Sequence, residues 1–344
     1  MNKGLRKSLA IGSRAQIAGG TILAAFYLVA IFAGFLAPYD YREQTRLEPS
    51  APPSTIRMRD ASGDWRRPYI YARRLVDARN LVYEDDLSAR YPIELFVNGR
   101  LFGIASADGE ASPAKLRLLG TDNLGRDRLS RLLHAIRFSL FVSPIGTVLA
   151  CLIGIIFGSI SGYATKSIDA VMMGIADTVI SLPTLILILA ARAAFPLELP
   201  PITAAILLIM IFALTGWAEM ARLTRGLVAS TRKREYIVAA RAIGLGEARI
   251  LFRHILPNIA SPLLVQATLL LPAFLLAEVA LSFLGVGLQE PEPSLGNMLS
   301  GASDLTLLRN APILLLSPAI AIFLFVLGVR LIGGRSDRSA HRGW

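Results

Sequence analysis

The side chains able to do chemistry are few. Three histidines occur in 344 residues, His134, His254 and His341, and no two stand at metal-ligand spacing. Cys151 is the only cysteine and lies in an apolar run, which excludes an internal disulfide or a cysteine-based metal site. There is no G-x-x-x-x-G-K-[ST] phosphate loop and no G-x-S-x-G nucleophile turn, so the chain reads as a non-enzyme that does not hydrolyse nucleotide by itself. What remains is three carboxylates inside apolar runs: Asp177, Glu219 and Glu278. An ionisable group at membrane depth is costly unless it faces a cavity or a partner. Asp177, followed by Ser181 and the helix-bending Pro183, forms with Glu278 a candidate translocation path. Glu219 lies nearer a helix end. For each, packing between helices is the competing reading.

The elements that would position these groups follow from composition. The chain is 53% hydrophobic and 18% charged, with mean hydropathy +0.53, which points to a polytopic membrane protein. Its net charge of +11 is not gathered into a separate domain or an aromatic-interleaved patch, so nucleic acid is not the expected partner. Runs of spanning length occur at 19–37, 139–162, 169–192, 202–221, 261–286 and 311–332, which predicts an all-α membrane protein of six helices. The third run is the weakest, because it holds Asp177 and Pro183. The N-terminal run is too long for a signal-peptide core and reads as an uncleaved first span.

Orientation follows from lysine and arginine bias. With the N-terminus inside, the segments 1–18, the Lys166 turn, 222–260 and 330–344 hold four, one, eight and four basic residues. The short outside loops hold Arg192 and Arg309. Both termini are therefore expected in the cytoplasm, with 333–344 as a tail.

Residues 38–118 form an outside insertion. Within "IELFVNGRLFGI" (93–104), Asn98-Gly99 between two β-rich runs predicts a type I′ hairpin, hence a small folded subdomain. Pro52-Pro53 and Glu84-Asp85-Asp86 read as loop. Residues 119–138 read as an interfacial amphipathic segment, with Leu129, Leu132, Leu133 and Ile136 on one face and arginines opposite. The core then runs over 139–332. In its first helix Gly154, Gly158 and Gly162 share a face, a spacing that lets two helix backbones approach closely in lipid.

The most informative stretch is "EYIVAARAIGLGEARILFRHILPN" (235–258), charged and helical in pattern among apolar runs. A helix over 235–243 is broken by Gly244 and Gly246, and a second is expected from Glu247 to Leu256, stopping before Pro257. Ala248, Leu251, Phe252 and Ile255 would form its apolar stripe. A helix–glycine–helix with small residues at its tip can enter a cleft on another protein; a connector lying on the membrane surface is the plainer alternative.

This stretch resembles the "EAA" loop of the permease subunits of ATP-binding-cassette importers: E-A-A, three residues, Gly, nine residues, I-x-L-P. Here Val238-Ala239-Ala240, Gly244 and His254-Ile255-Leu256-Pro257 keep the spacing, with Val238 replacing the glutamate and His254 the isoleucine. Glu235-Tyr236, "LGTDNLGRDRLSRLL" (119–133) and "EVALSFLGVGLQEPEPSLGNML" (278–299) are similar to the second permease of the oligopeptide/dipeptide/nickel branch, with Leu295 where tryptophan is usual. The resemblance covers 19–37 and 118–332. It implies a type I importer permease fold in a prokaryotic plasma (inner) membrane. It also implies a second permease forming a heterodimer, two ATPase subunits carrying ATP and Mg, and an extracytoplasmic solute-binding protein. No cofactor is implied on this chain. The loop would dock on an ATPase, with Glu235 and Tyr236 among its coupling residues: Ala239, Ala240 and Gly244 would permit close approach, Arg241 would make a polar contact at the rim, and Leu256 and Pro257 would anchor the loop to the fifth helix. Peptide is the substrate this branch implies, although nickel chelates, glutathione-like compounds, sugars and antibiotics use the same scaffold. The competing class is an ion-coupled transporter or channel working through Asp177, Glu219 and Glu278.

Overall fold

The computed structural model describes residues 3–59, 63–97, 99–104, 112–300 and 312–333. Among them, five helices are long and apolar enough to cross a membrane, or six if one bent pair counts as a span. The fold is mostly helical, with one sheet after the first helix.

Helix α1 (Lys3–Ile31) starts well before the expected span and ends before residue 37; a four-residue helix α2 (Ala33–Leu36) follows. Helix α3 (Arg128–Tyr163) carries straight through what was expected to be a flat interfacial segment, so residues 128–138 are the first turns of the spanning helix itself. The expected third span is two helices, α4 (Lys166–Ser181) and α5 (Thr184–Ala193), bent by 86°. The cause is local: proline has no N–H and disfavours helical geometry in the residue before it, and Leu182 is extended at φ −90°, ψ 136°. Helix α6 (Pro201–Thr231) runs ten residues past its expected end and so carries Arg222 and Arg225. After it come α7 (Glu235–Ala242), α8 (Glu247–Ile250), a π-helical turn (Leu251–Ile255), α9 (Leu256–Phe283), α10 (Leu295–Ser300) and α11 (Pro312–Gly333).

The chain divides into two compact units. One comprises 1–24, 141–281 and 324–344. Its seam is the glycine face of α3 against α6. A methyl at Gly154 would meet the Trp217 carbonyl at 2.6 Å, one at Gly158 would run into the Ala221 carbonyl, and one at Gly162 would meet the Val228 side chain at 2.8 Å. Backbones this close have no room for a side chain, which is how small residues contribute to packing in lipid. Phe212 stacks on Phe274 at 4.7 Å, and Phe157 meets Trp217 edge-on at 4.6 Å.

The other unit comprises 25–140 and 282–323. It holds an antiparallel sheet in sequence order: β1 (Arg57–Arg59), β2 (Trp65–Asp77), β3 (Val82–Leu95) and β4 (Phe102–Ile104). The β3–β4 hairpin pairs Leu95 with Phe102 and Ile93 with Ile104, and the Arg100 N–H donates to the Val97 carbonyl across the turn. Gly99 has φ +73°; Asn98 lies outside the described residues. Glu84-Asp85-Asp86 is not loop. These residues sit in β3 opposite Arg74, Arg73 and Ala72, and Asp85 pairs with Arg57 at 2.9 Å, so arginines across the ladder hold the acids in strand. Ile70, Ala114 and Leu116 form the core on which the sheet rests.

Candidate functional site

The stretch 235–258 folds as a helix, a glycine turn and a second helix. Gly244 sits at φ +87° with open space around its missing side chain, so it is needed for its backbone conformation and not for room. Ile237, Ala240, Ile250 and Ile255 turn inward and are buried. Val238, Ile243 and Phe252 point out, 52%, 79% and 70% exposed. This redraws the expected stripe: Ile255 is buried, but Ala248 and Phe252 face outward. Ala239 is exposed and available for contact, whereas Ala240 is packed beneath it. The result is an apolar, small-residue tip. Three large exposed hydrophobics within fifteen residues of one short stretch mark it as a surface available for contact.

Around the tip, charged groups pair with one another. Arg241 forks onto the Glu247 carboxylate at 2.5 and 3.0 Å, bridging the glycine turn. That pairing raises the Arg241 pKa, since Glu247 favours the charged guanidinium. Arg241 therefore braces the loop internally. Glu235 is exposed in the first turn of α7, and the Tyr236 hydroxyl accepts from Asn258 at 3.1 Å, tying the start of α7 to that of α9.

The helix expected to stop before Pro257 does not stop. Leu256 donates its N–H to the Leu251 carbonyl five residues back, and α9 continues through Leu256 and Pro257 to Phe283. A proline ring in an α-helix collides with the preceding turn and lacks a donor; a wider π turn just ahead relieves both. Glu247–Phe283 thus passes as one 37-residue apolar helix.

The three carboxylates of the apolar runs sit in different surroundings. Asp177 on α4 pairs with Arg222 on α6 at 3.1 Å, both exposed, and Ser181 donates to the Thr178 carbonyl. Glu219 accepts from Gln266 at 3.1 Å. Glu278 is fully buried on α9.

Sequence spacing does not reveal a second polar cluster. Asp169 in the first turn of α4 accepts from Ser161 at 2.5 Å and from Arg225 Nε at 3.0 Å. Arg232 donates to the Gly162 carbonyl at 2.6 Å, and its guanidinium lies 4.3 Å from the Tyr163 ring centroid. Asp169 and Arg225 are 56 residues apart, and no local pattern links them. The one usable signal is an arginine continuing the periodicity of α6 past its apolar run.

In the other unit, the arginines expected on a wet face are buried. Arg126, Arg128 and Arg131 are 3%, 6% and 2% exposed. Glu290 receives Arg126 at 2.6 Å and Arg131 at 2.9 Å, and Glu292 receives Tyr41 at 2.9 Å and also Arg42. Beneath them, Arg117 is 1% exposed, 3.1 Å from Glu48 and 3.7 Å from Asp127. Asp127 also accepts from the Ser130 N–H and hydroxyl, each at 2.7 Å. Burial pushes the Asp127 carboxyl up, with Arg117 opposing. Burial likewise raises the Tyr39 phenol to about 12.

Comparison with known proteins adds the following. Residues 154–342 match the family described as the inner membrane component of binding-protein-dependent transport systems, and residues 13–53 match the N-terminal transmembrane domain of oligopeptide transport permease C. The oligopeptide transport system permease protein OppC of Bacillus subtilis (strain 168) is 37% identical over 227 residues, 66% of this chain and 72% of that protein. The di/tripeptide transport system permease protein DppC of Pseudomonas aeruginosa (strain UCBPP-PA14) is 37% identical over 216 residues, 63% of this chain and 69% of that one. Among solved structures, a chain of the inward-facing MetNI methionine ABC transporter aligns with a TM-score of 0.46 at 19% identity, covering 62% of this chain and 95% of that chain.

Proposed function

The chain belongs to the family of inner-membrane components of binding-protein-dependent transport systems, the permease subunits of ABC importers, and from that premise we propose that it carries peptides. The match of its first helix to the N-terminal domain of oligopeptide permease C supports this substrate class, as do relatives named for oligopeptides and di- or tripeptides. It lines the path together with a second permease, receives substrate from an extracytoplasmic binding protein, and draws on ATP and Mg bound by two separate ATPase subunits. Both termini lie in the cytoplasm.

The stretch 235–258 is the coupling surface. The observation that carries this reading is the exposed tip of Val238, Ala239, Ile243 and Phe252 around Gly244. An apolar tip of this size on a charged surface gains most by entering a cleft that excludes water. Residues 38–118 form the outside insertion, and Asp177, Ser181 and Glu278 stand as candidate path residues. The test is Ala239→Glu, an exposed change that leaves the buried Ala240 intact. Uptake and transport-linked ATP hydrolysis should be lost while the complex still reaches the membrane. Normal uptake by that variant would sink the coupling assignment.

A further inference from the structure

Four elements end around one polar cavity of about 420 Å³. The end of α3, the start of α4, the end of α6 and the last turn of α7 contribute its walls, and five cations line it against one carboxylate: Lys166, Arg225, Arg232, Lys233 and Arg241 against Asp169. Two of these cations are already neutralised. Arg225 is held by Asp169 and Arg241 by Glu247. Arg232 spends one nitrogen on a neutral carbonyl and lies against Tyr163, which fixes its plane and leaves further N–H donors free for a ligand. Lys166 and Lys233 are exposed, and among the described residues their ammonium groups have no ion-pair or hydrogen-bond partner. Three uncompensated positive charges therefore converge on one concavity. The N-terminus of the 16-residue α4, where Thr165 makes no side-chain cap, adds its partial positive charge.

A wet protein surface spreads like charges apart; here four separate elements bring them together around a space that a phosphate with its substituents would fill. A rigid guanidinium flanked by two mobile ammonium groups is a donor set suited to a phosphate oxyanion. Two of the walls are the ends of the long apolar helices α3 and α6, so the cavity opens where those helices leave the apolar layer, at the level of lipid headgroups. We propose that this cavity is a phosphate-binding site, filled in the membrane by the headgroup of an anionic phospholipid. Because Arg241 belongs to its wall, the bound headgroup fastens α7 to the α3–α4 turn. The site does not depend on which solute the transporter carries.

The test uses the assembled complex, delipidated in detergent and titrated with phosphatidylglycerol or phosphatidylcholine of the same acyl chains, with bound lipid read by native mass spectrometry. The wild type should prefer phosphatidylglycerol. In the Lys166→Ala/Lys233→Ala variant that preference should fall by about fivefold for each lysine, with phosphatidylcholine unchanged. The control is Arg249→Ala/Arg253→Ala, which removes exposed cations of the same loop outside the cavity. In parallel, thermal stability is measured with inorganic phosphate against chloride at equal ionic strength. Stabilisation by phosphate in the wild type alone, without a lipid preference, supports the phosphate site and assigns it a soluble source. Equal behaviour of the wild type and the lysine variant in both arms overturns the proposal, as does an equal loss in the control. Binding and not uptake is the readout, so a failure here is distinct from a failure of the coupling assignment.

Discussion

Two stretches of this chain are dense in arginine, and they use it in opposite ways. In the segment leading into α3, Arg117, Arg126 and Arg131 are withdrawn from water and each is matched to a carboxylate, so charge serves as mortar. In the stretch between α6 and α9, the charged groups stay at the surface, Arg241 and Glu247 close on each other, and the apolar side chains are the ones presented outward. Buried pairs are costly to form and worse to break; exposed pairs contribute little, and exposed hydrophobics are available for contact. The first region is thus the one that a broken pair would harm most, and on the proposed coupling role the second is the one left open to a partner.

Three tests probe that division, in decreasing order of expected effect. Arg117→Ala strands Glu48 and Asp127 in a dry site and should lower stability by roughly 3–5 kcal/mol, read as the thermal midpoint of the detergent-solubilised protein. Uptake per folded molecule should stay near wild type; a stable Arg117→Ala protein would mean water already reaches the cluster. Ile243→Asp with Phe252→Asp should invert the pattern. Each change should weaken ATPase association by about 2 kcal/mol or more, as loss of an interface anchor does, with the thermal midpoint unmoved because both side chains are largely exposed. Co-purification of the ATPase at wild-type yield would remove the contrast. Arg241→Ala sharpens it: loss of one exposed pair should barely move the thermal midpoint, and the small shift should shrink further as salt is raised, seen in thermal midpoints at two ionic strengths.

Some of this is legible in the residues alone, for reasons that can be named. Gly154, Gly158 and Gly162 of α3 report the seam because helical spacing is a local property. The turn at Gly244 is readable because only the backbone decides it. Asp169 with Arg225 and Glu290 with Arg131 are invisible in sequence, being 56 and 159 residues apart. The acids 84–86 look like loop because composition does not show the arginines waiting across the ladder. Pro257 looks like a stop because nothing local announces that its neighbours can widen into a π turn. Ala239 and Ala240 look alike in sequence, and packing alone separates the exposed one from the buried one.

That π turn has a mechanical consequence. Helix continues from Glu247 to Phe283 past Pro262 and Pro272, 37 residues on the order of 55 Å long at 1.5 Å per residue. A pivot of about 5° at the tip sweeps the far end through about 5 Å, comparable to the pitch of one helical turn. On the coupling role proposed above, a small push at the surface loop would be geared up along the length of its own helix.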